Sequence, residues 1–273
     1  PMVTNTTTDS ELFQILSMML GTLDDGHVTL TAPGRNIFIS NAIRNNLIDD
    51  ALFNKQVIKD NYLEPGFEAG KEDAYYYGKI KNKNIAYIYF DHVAENFFTL
   101  KDFLSKYNEV DGYIIDLRHN QGGDFTYAFS EMGRFTNEKR LIFRSKTKNG
   151  KGKNDYTEWH NWYLEPSGNY VDKPIKVLID RYTISAGERA TMALKALPTA
   201  TLIGDTTNGA HGTMIGRELA NGWFYSLVPQ KVEMFDGKSY EGIGIAPDIY
   251  QKNILSEVLA GQDRVLEKAI NEF

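Results

Sequence analysis

The stretch KPIKVLIDRYTISAGERATMALKAL, residues 173–197, joins an apolar run to a segment that reads as a helix. The run IKVLID is short and continuous, which is typical of a strand buried on both faces. Ser185 lies at the turn between the two. Taken alone, a serine at a helix start is more often an N-cap, which accepts a bond from a free backbone N–H group. At such a turn it could instead be a nucleophile close to N–H groups that bind an oxyanion.

Apolar strands and helical segments alternate on both sides of Ser185, over residues 74–205. The strands have the sequences YIYF, YIIDL, IKVLID and TLIGD, and a helical pattern separates each from the next. This alternation predicts βαβ units, in which parallel strands are buried between helices. We therefore predict an α/β protein with its core in residues 74–273 and an N-terminal helical segment in residues 1–73.

The N-terminal segment begins with a clear helical pattern. Apolar residues at helical spacing predict a helix from Ser10 to Gly21, with Asp9 or Ser10 as its cap. The motif DDGHVTL follows and predicts a turn that leads into a short strand. Residues 31–74 are compatible with one or two further helices.

The C-terminal third of the chain predicts β-structure between helices. Residues 214–240, MIGRELANGWFYSLVPQKVEMFDGKSY, predict a β-hairpin region with turns at Asn-Gly (221–222) and Asp-Gly (236–237). The polar and aromatic residues 151–170 predict an inserted loop or hairpin. The last twenty residues, 254–273, predict helix.

Composition narrows the classes of function. The 273 residues carry a formal net charge of −6, which argues against a nucleic-acid or anionic-membrane partner. The chain has no run of about 18 apolar residues, so we expect no membrane span. It has no cysteine, which excludes a thiol nucleophile, a disulfide and a thiolate metal site. Without H-E-x-x-H or another close ligand cluster, we expect no metal and no other cofactor.

Further candidate residues lie in turns that follow the predicted strands. Gly122 and Gly123 would let the backbone approach a ligand closely, although alone they are more often an ordinary turn. Glu241, in YEGIGIAPDI, could orient a base, although alone it is more often a solvated loop residue. A serine nucleophile needs a base, and spacing in the sequence cannot rank the histidines, because the members of a triad meet in space. The five histidines are His27, His92, His119, His160 and His211.

Four segments, taken in order, resemble the tail-specific, or C-terminal-processing, serine peptidase family. They are GTLDDGHVTL, DGYIIDLRHNQGGD, KPIKVLIDRYTISAGERA and YEGIGIAPDI. The resemblance implies a ClpP/crotonase-like core of βαβ units, in agreement with the strand pattern. It also implies that Ser185, in TISAGE, is the nucleophile. The oxyanion hole would consist of the amide of Ala186 and that of Gly122 or Gly123.

The resemblance implies a different base in each branch of the family. The bacterial C-terminal-processing branch uses a lysine downstream of the serine, and Ala210 occupies the matching position here. The branch that resembles the tricorn-protease core uses a histidine of an L-x-D-G-H motif and a glutamate near an E-G-x-G-x-x-P-D motif. His27 and Glu241 match those positions, so we predict a Ser185–His27–Glu241 site. His211 is the alternative base.

The resemblance implies a serine endopeptidase that works through an acyl-enzyme, at or near polypeptide C-termini. Its partner would be a polypeptide substrate. Two alternatives remain open: a non-catalytic relative that binds peptides or lipids, and a crotonase-like acyl-CoA enzyme, for which no CoA-binding surface is evident. Residues 31–73 are too few for a full PDZ domain, which many relatives carry.

The compartment and the assembly follow less directly from the sequence. The opening PMVTNTTTDSE lacks the basic start and apolar run of a signal peptide, although Pro-Met is compatible with a processed terminus. Because relatives are often exported in bacteria, we expect the periplasm or cell envelope. The sequence leaves the oligomeric state open.

Overall fold

A central seven-stranded sheet organises the computed structural model, which describes residues 3–41 and 50–273. Its strands are β3 (Glu68–Ala69), β4 (Tyr75–Lys79), β5 (Ile85–Phe90), β6 (Gly112–Asp116), β9 (Ile175–Ile179), β10 (Ala200–Gly204) and β14 (Ile249–Tyr250). Their order is β14-β10-β9-β6-β5-β4-β3. From β5 to β14 neighbouring strands are parallel, and β3 and β4 add an antiparallel edge. The predicted parallel sheet is confirmed.

The parallel strands are buried because helices cover both faces of the sheet. Every residue of β5, β6 and β9 is buried, as the continuous apolar runs predict. One face packs on helices that contribute Phe103, Ala128 and Met192, and the other on helices that contribute Ile58 and Leu266. The helices are α1 (Asp9–Gly21), α2 (Lys55–Asn61), α3 (Thr99–Lys106), α4 (Phe125–Met132), α5 (Ala186–Lys195), α6 (Leu255–Leu259) and α7 (Arg264–Ile270).

A second sheet joins residues 29–39 of the N-terminal segment to the hairpin of residues 215–227. Its strands are β1 (Thr29–Thr31), β2 (Phe38–Ile39), β11 (Ile215–Glu218) and β12 (Phe224–Leu227), in the order β11-β12-β1-β2. The hairpin predicted at residues 221–222 is confirmed, since β11 and β12 pair across it. The strand that follows DDGHV pairs antiparallel with β12, with Leu30 opposite Tyr225. Residues far apart in the sequence therefore form one small layer, which packs on α1.

A third sheet corrects the second half of the hairpin prediction. Its strands are β7 (Arg140–Thr147), β8 (His160–Leu164) and β13 (Gln230–Met234), in the order β13-β7-β8. The turn at residues 236–237 is present, but β13 pairs with β7 and no described strand returns alongside it. The polar insert 151–170 is a hairpin arm, since β8 pairs with β7.

The N-terminal helix begins as predicted, but with a different cap. Thr8, and neither Asp9 nor Ser10, occupies the N-cap position of α1. The Thr8 hydroxyl accepts a bond from the Glu11 N–H group, and the Glu11 carboxylate accepts one from the Thr8 N–H group. This reciprocal capping box satisfies two donors at once, which a cap at either neighbouring residue would not do. Within residues 31–74 the structure places α2, while residues 42–49 lie outside the described part.

A buried group of ion pairs lies at the carboxyl end of β6, the end of the sheet that carries the predicted site. Arg118 follows β6 and is only 2% exposed. It forms ion pairs with Asp116 at 2.6 Å and with Asp263, the N-cap of α7, at 2.8 Å. Two carboxylates therefore neutralise this guanidinium, as is usual for a charge removed from water.

Candidate active site

Ser185 occupies a backbone conformation that few residues other than glycine adopt. Its φ is 60° and its ψ is −124° at the N-terminus of α5. Its side chain makes no capping hydrogen bond, so the N-cap interpretation is wrong. A serine held at positive φ costs free energy, and such strain persists only where the surroundings enforce it. The turn therefore presents the Ser185 hydroxyl outward instead of using it to cap the helix.

Backbone hydrogen bonds from two other loops hold this turn. The N–H group of Ile184 donates to the carbonyl of Asn120 at 3.0 Å, and that of Ser185 donates to the carbonyl of Ala210 at 3.1 Å. The Thr183 hydroxyl donates to the carbonyl of Leu117 at 2.8 Å. The loops after β6 and after β10 thus fix the serine turn from both sides.

The carboxylate of Asp180 ties the serine turn to the Gly-Gly turn. Its Oδ1 accepts the N–H groups of His119 at 3.0 Å, Tyr182 at 2.9 Å and Thr183 at 3.1 Å. Burial raises the pKa of Asp180 to about 7. The sequence gives no signal for this role, because Asp180 there is only the residue that ends a strand.

The Gly-Gly turn lies directly against Ser185. A Cβ atom on Gly122, whose φ is 83°, would lie 2.5 Å from the Cβ of Ser185, so only glycine fits. The N–H group of Gly122 donates to Oδ1 of its own loop neighbour Asn120 at 3.0 Å. Within the described residues, the N–H groups of Gly123 and Ala186 have no hydrogen-bond acceptor. Two donors are therefore available beside the serine.

A cleft of about 650 Å³ opens in front of these donors. Of the predicted site residues, five line it: Ser185, Ala186, Gly123, His27 and His211. Gly122, which is buried against Ser185, and Glu241 are not among the lining residues. Thr29, Phe224 and Ser226 of the small sheet also line the cleft. The remaining lining residues are Gly26, Gln121, Asp124, Phe125, Ile184, Arg189, Gly212, Thr213 and Met214.

His27 lies two residues before β1, and hydrogen bonds to Asp25 and Ser226 hold its backbone in place. Its N–H group donates to Oδ1 of Asp25 at 2.7 Å, and its Nδ1 lies 3.8 Å from the same oxygen. Its carbonyl accepts the Ser226 hydroxyl from the adjacent strand at 2.5 Å. Burial raises the pKa of Asp25, although the His27 N–H bond opposes that rise. Asp25 was within the motif LDDGH, but the motif alone assigned it no role.

His211 lies between two carboxylates and is fully buried. Its Nε2 is 2.9 Å from Oε1 of Glu188, and its Nδ1 is 3.7 Å from Oε2 of Glu241. Burial alone would lower the pKa of His211, but the Glu188 carboxylate outweighs it and raises the pKa. An imidazole in this position is stabilised as the cation.

Glu188, the last residue of TISAGE, is the fixed partner of that cation. Its carboxylate accepts the Thr207 hydroxyl and the N–H groups of Gly209 and Ala210, the last two at 2.8 Å. Burial acts to raise its pKa, but His211 and these donors prevail and lower it. The charge of Glu188 thus organises the 207–211 loop against α5.

The structure places Glu241 beside His211. Its Oε1 accepts the N–H group of His211 at 3.0 Å. Burial raises the pKa of Glu241 to about 7, with the His211 charge opposing and the Asp25 charge adding to the rise. The predicted Glu241 therefore belongs to one electrostatic cluster with Asp25, Glu188 and the alternative base.

We expect His211→Gln to destabilise the protein in a pH-dependent way. The raised pKa means that the native state binds this proton more tightly than the unfolded chain, whose histidine has a pKa of about 6.5. The resulting stabilisation is complete below that pH and is lost as pH rises through the native pKa. At pH 6.5 the variant should lose about 3–5 kcal/mol of unfolding free energy, because Glu188 keeps a buried charge without its cation.

Urea unfolding between pH 6.5 and 9.5 measures this effect. Wild type should lose stability across that range more steeply than His211→Gln. The control is His160→Gln on β8, whose exposed imidazole should matter by less than about 0.5 kcal/mol. Parallel pH curves for wild type and His211→Gln would mean that His211 is neutral in the native state.

The described residues contain no group of three or more His, Asp or Glu side chains arranged to hold a metal ion. Across residues 3–41 and 50–273, no helix is long and apolar enough to cross a membrane.

The fold and the cleft define a mixed α/β protein in which a strained serine turn and a Gly-Gly turn meet at one end of a parallel sheet. The model of peptidase family S41 matches residues 84–251, more than half of the chain, and the chain belongs to this family. A solved structure of a candidate peptidase from Parabacteroides merdae has a TM-score of 0.87 and 30% sequence identity. The match covers 98% of this chain and 84% of the Parabacteroides merdae chain.

Two curated relatives match a shorter part of the chain. The carboxy-terminal-processing protease of Bartonella bacilliformis is 31% identical over 170 residues, which are 61% of this chain and 37% of that protein. The carboxy-terminal processing protease CtpA of Bacillus subtilis is 28% identical over 178 residues, 63% and 36% respectively. The chain thus spans little more than a third of the length of these relatives.

Proposed function

We propose that this protein is a serine endopeptidase that hydrolyses peptide bonds through an acyl-enzyme. The observation that carries the proposal is the strained Ser185 turn, which faces a cleft beside two backbone N–H groups that have no acceptor among the described residues. Strain of this kind costs stability and has no structural use here, because the hydroxyl does not cap the helix.

In the proposed reaction, Ser185 Oγ attacks the carbonyl carbon of the substrate as His27 takes its proton. The amides of Ala186 and Gly123 hold the resulting oxyanion. Gly123 suits this role better than Gly122, whose N–H group already bonds to Asn120. His27 then protonates the leaving amine, and water releases the acyl group with the same residue as base.

His27 is a better base than His211 for an electrostatic reason. A base must be neutral to accept the serine proton, and Glu188 favours the charged form of His211. Both ring nitrogens of His211 also face carboxylates. Since Ala210 occupies the position that matches the lysine of the other branch, we propose that the chain belongs to the Ser–His branch.

The carboxylates near the two histidines would stabilise the imidazolium that forms on His27. Oδ1 of Asp25 lies 3.8 Å from Nδ1 of His27. Glu241 acts in the same cluster through its contacts with His211. We propose that Glu241 supports the base through this cluster rather than by a bond of the kind found in a simple triad.

The names of the curated relatives support a substrate class. Both are carboxy-terminal-processing proteases, so we propose that this protein also cleaves polypeptides at or near their C-termini. Periplasm or cell envelope remains the proposed compartment on the grounds of the resemblance alone.

A trapping experiment tests the proposal. The purified chain is incubated with a mixed peptide library and, separately, with a fluorophosphonate probe. Mass spectrometry should show new peptide termini and a covalent adduct on the tryptic peptide that contains Ser185. Peptide binding without new termini and without the adduct would favour the non-catalytic relative.

A further inference from the structure

The described part of the chain contains two almost fully buried arginines with opposite surroundings. Arg118, 2% exposed, has ion pairs with Asp116 and Asp263. Arg189, 3% exposed, has no carboxylate within 4 Å among the described residues. A buried charge without a counter-ion is costly, so its presence calls for a ligand or a function.

With the described residues, Arg189 forms hydrogen bonds only to neutral acceptors, and one of its nitrogens takes part in none of them. Nε and Nη2 donate to the carbonyl of His211 at 3.1 and 2.9 Å. Nη2 also donates to Thr213 Oγ1 at 3.2 Å and Gln230 Oε1 at 2.6 Å. Nη1 is in no hydrogen bond with the described residues. These bonds fix the guanidinium in place and leave Nη1 free to bind a ligand.

Arg189 belongs to the wall of the cleft. It lies in the first turn of α5, directly after the Ser185 turn, and both residues line the cleft. Its guanidinium carbon is 4.5 Å from the ring centroid of Phe125 and 4.9 Å from that of Phe143. These rings hold the cation by cation–π attraction and keep water away from it.

The cleft offers little negative charge to balance this cation. Among the described residues that line the cleft, Arg189 is the only Lys or Arg and Asp124 is the only acid. The Asp124 carboxylate is engaged with the N–H group and hydroxyl of Thr126, where it caps α4. Burial lowers the pKa of Arg189 to about 10, while the charges of Glu241 and Asp124, neither within 4 Å of the guanidinium, act to raise it, so the group stays charged at neutral pH.

We propose that the cleft recognises a carboxylate of the substrate through Arg189. The ligand class is a peptide that carries an anionic carboxylate close to the bond cleaved, either its C-terminal α-carboxylate or an Asp or Glu side chain. Arginine binds carboxylates with directed, charge-assisted hydrogen bonds, and a pre-fixed guanidinium loses little entropy on binding. The inference rests on the proposed function only in taking the ligand to be a substrate peptide.

A binding experiment tests the inference without requiring catalysis. The full chain with Ser185→Ala is immobilised at pH 8 and incubated with two pools of N-acetylated octapeptides. The pools share the same randomised sequences, but one ends in a free carboxylate and the other in an amide. Retained peptides are counted by mass spectrometry. A charge-assisted bond predicts about tenfold or greater enrichment of the anionic form.

The two sources of the carboxylate give different results. Enrichment of the free-carboxylate pool assigns the site to a C-terminus. Enrichment of Glu over Gln and Asp over Asn at one position, equal in both pools, assigns it to an acidic side chain. Either enrichment without hydrolysis by wild type would sustain this inference while the proposed function fails.

Two further variants, made in the same Ser185→Ala background, identify the arginine responsible. Arg189→Met should abolish the enrichment. Arg264→Met, which removes a partly exposed arginine of α7 paired with Glu257, should retain it. Absence of both enrichments with the unaltered Arg189 would overturn the inference, and this result does not depend on whether Arg189→Met folds. Persistence of the enrichment in folded Arg189→Met would overturn it equally.

Discussion

Replacing Ser185 with alanine is expected to lower kcat/KM for peptide hydrolysis by about 10⁴- to 10⁶-fold, because no acyl-enzyme can form. The residual rate would come from the oxyanion donors and from substrate binding. The backbone of the turn should survive, since none of the hydrogen bonds that hold it involves the Ser185 hydroxyl. Initial rates on a peptide with a fluorogenic leaving group measure the loss, and covalent labelling by fluorophosphonate should disappear in parallel.

The matched control for this prediction is Ser130→Ala. Ser130 lies on α4, is exposed, and its hydroxyl donates to the carbonyl of Tyr127. Its loss should change neither rate nor labelling by more than about twofold. If Ser185→Ala kept a tenth or more of the wild-type rate with an unchanged thermal midpoint, Ser185 would not be the nucleophile.

Replacing His27 with alanine is expected to lower kcat/KM by about 10⁴-fold or more, because the serine then has no general base. Residues that act as a unit are non-additive, so Ser185→Ala/His27→Ala should be no slower than Ser185→Ala alone. Steady-state rates of the three variants form a double-mutant cycle that measures this coupling.

His160→Ala is the control for the His27 measurement, because His160 is exposed on β8 and does not line the cleft. A His27→Ala variant with at least a tenth of wild-type activity would exclude His27 as the base. Full additivity of the losses at Ser185 and His27 would equally count against a shared proton transfer.

The sequence was most informative about the central sheet. Continuous apolar runs such as IAYIYF and IKVLI predicted parallel strands, because only strands covered on both faces can be apolar throughout. The Asn-Gly turn at residues 221–222 correctly predicted a hairpin. The same kind of prediction failed after residue 237, because β13 has a better partner in β7, and nothing in a local pattern shows a pairing across some 85 residues.

The candidate site was only partly accessible from the sequence. Ordered motifs indicated Ser185, His27, Glu241 and the Gly-Gly turn. The motifs did not indicate that His211 would lie between Glu188 and Glu241, or that Asp25 would approach the His27 ring. Such contacts depend on how the 207–211 loop and residues 24–27 meet over α5, and spacing in the sequence carries no such information.

What the sequence by itself determined is the α/β class, the position of the serine turn at the end of a parallel strand, and the set of residue types available there. Each follows from local rules of hydrophobic period and turn geometry. What only the tertiary structure decided is the electrostatic state of those residues. The left-handed backbone of Ser185, the cationic preference of His211 and the burial of Arg189 without a direct ion pair arise from the packing of other elements around these residues. Burial and Coulomb interactions depend on distance in space, so they come into being only when the chain has folded.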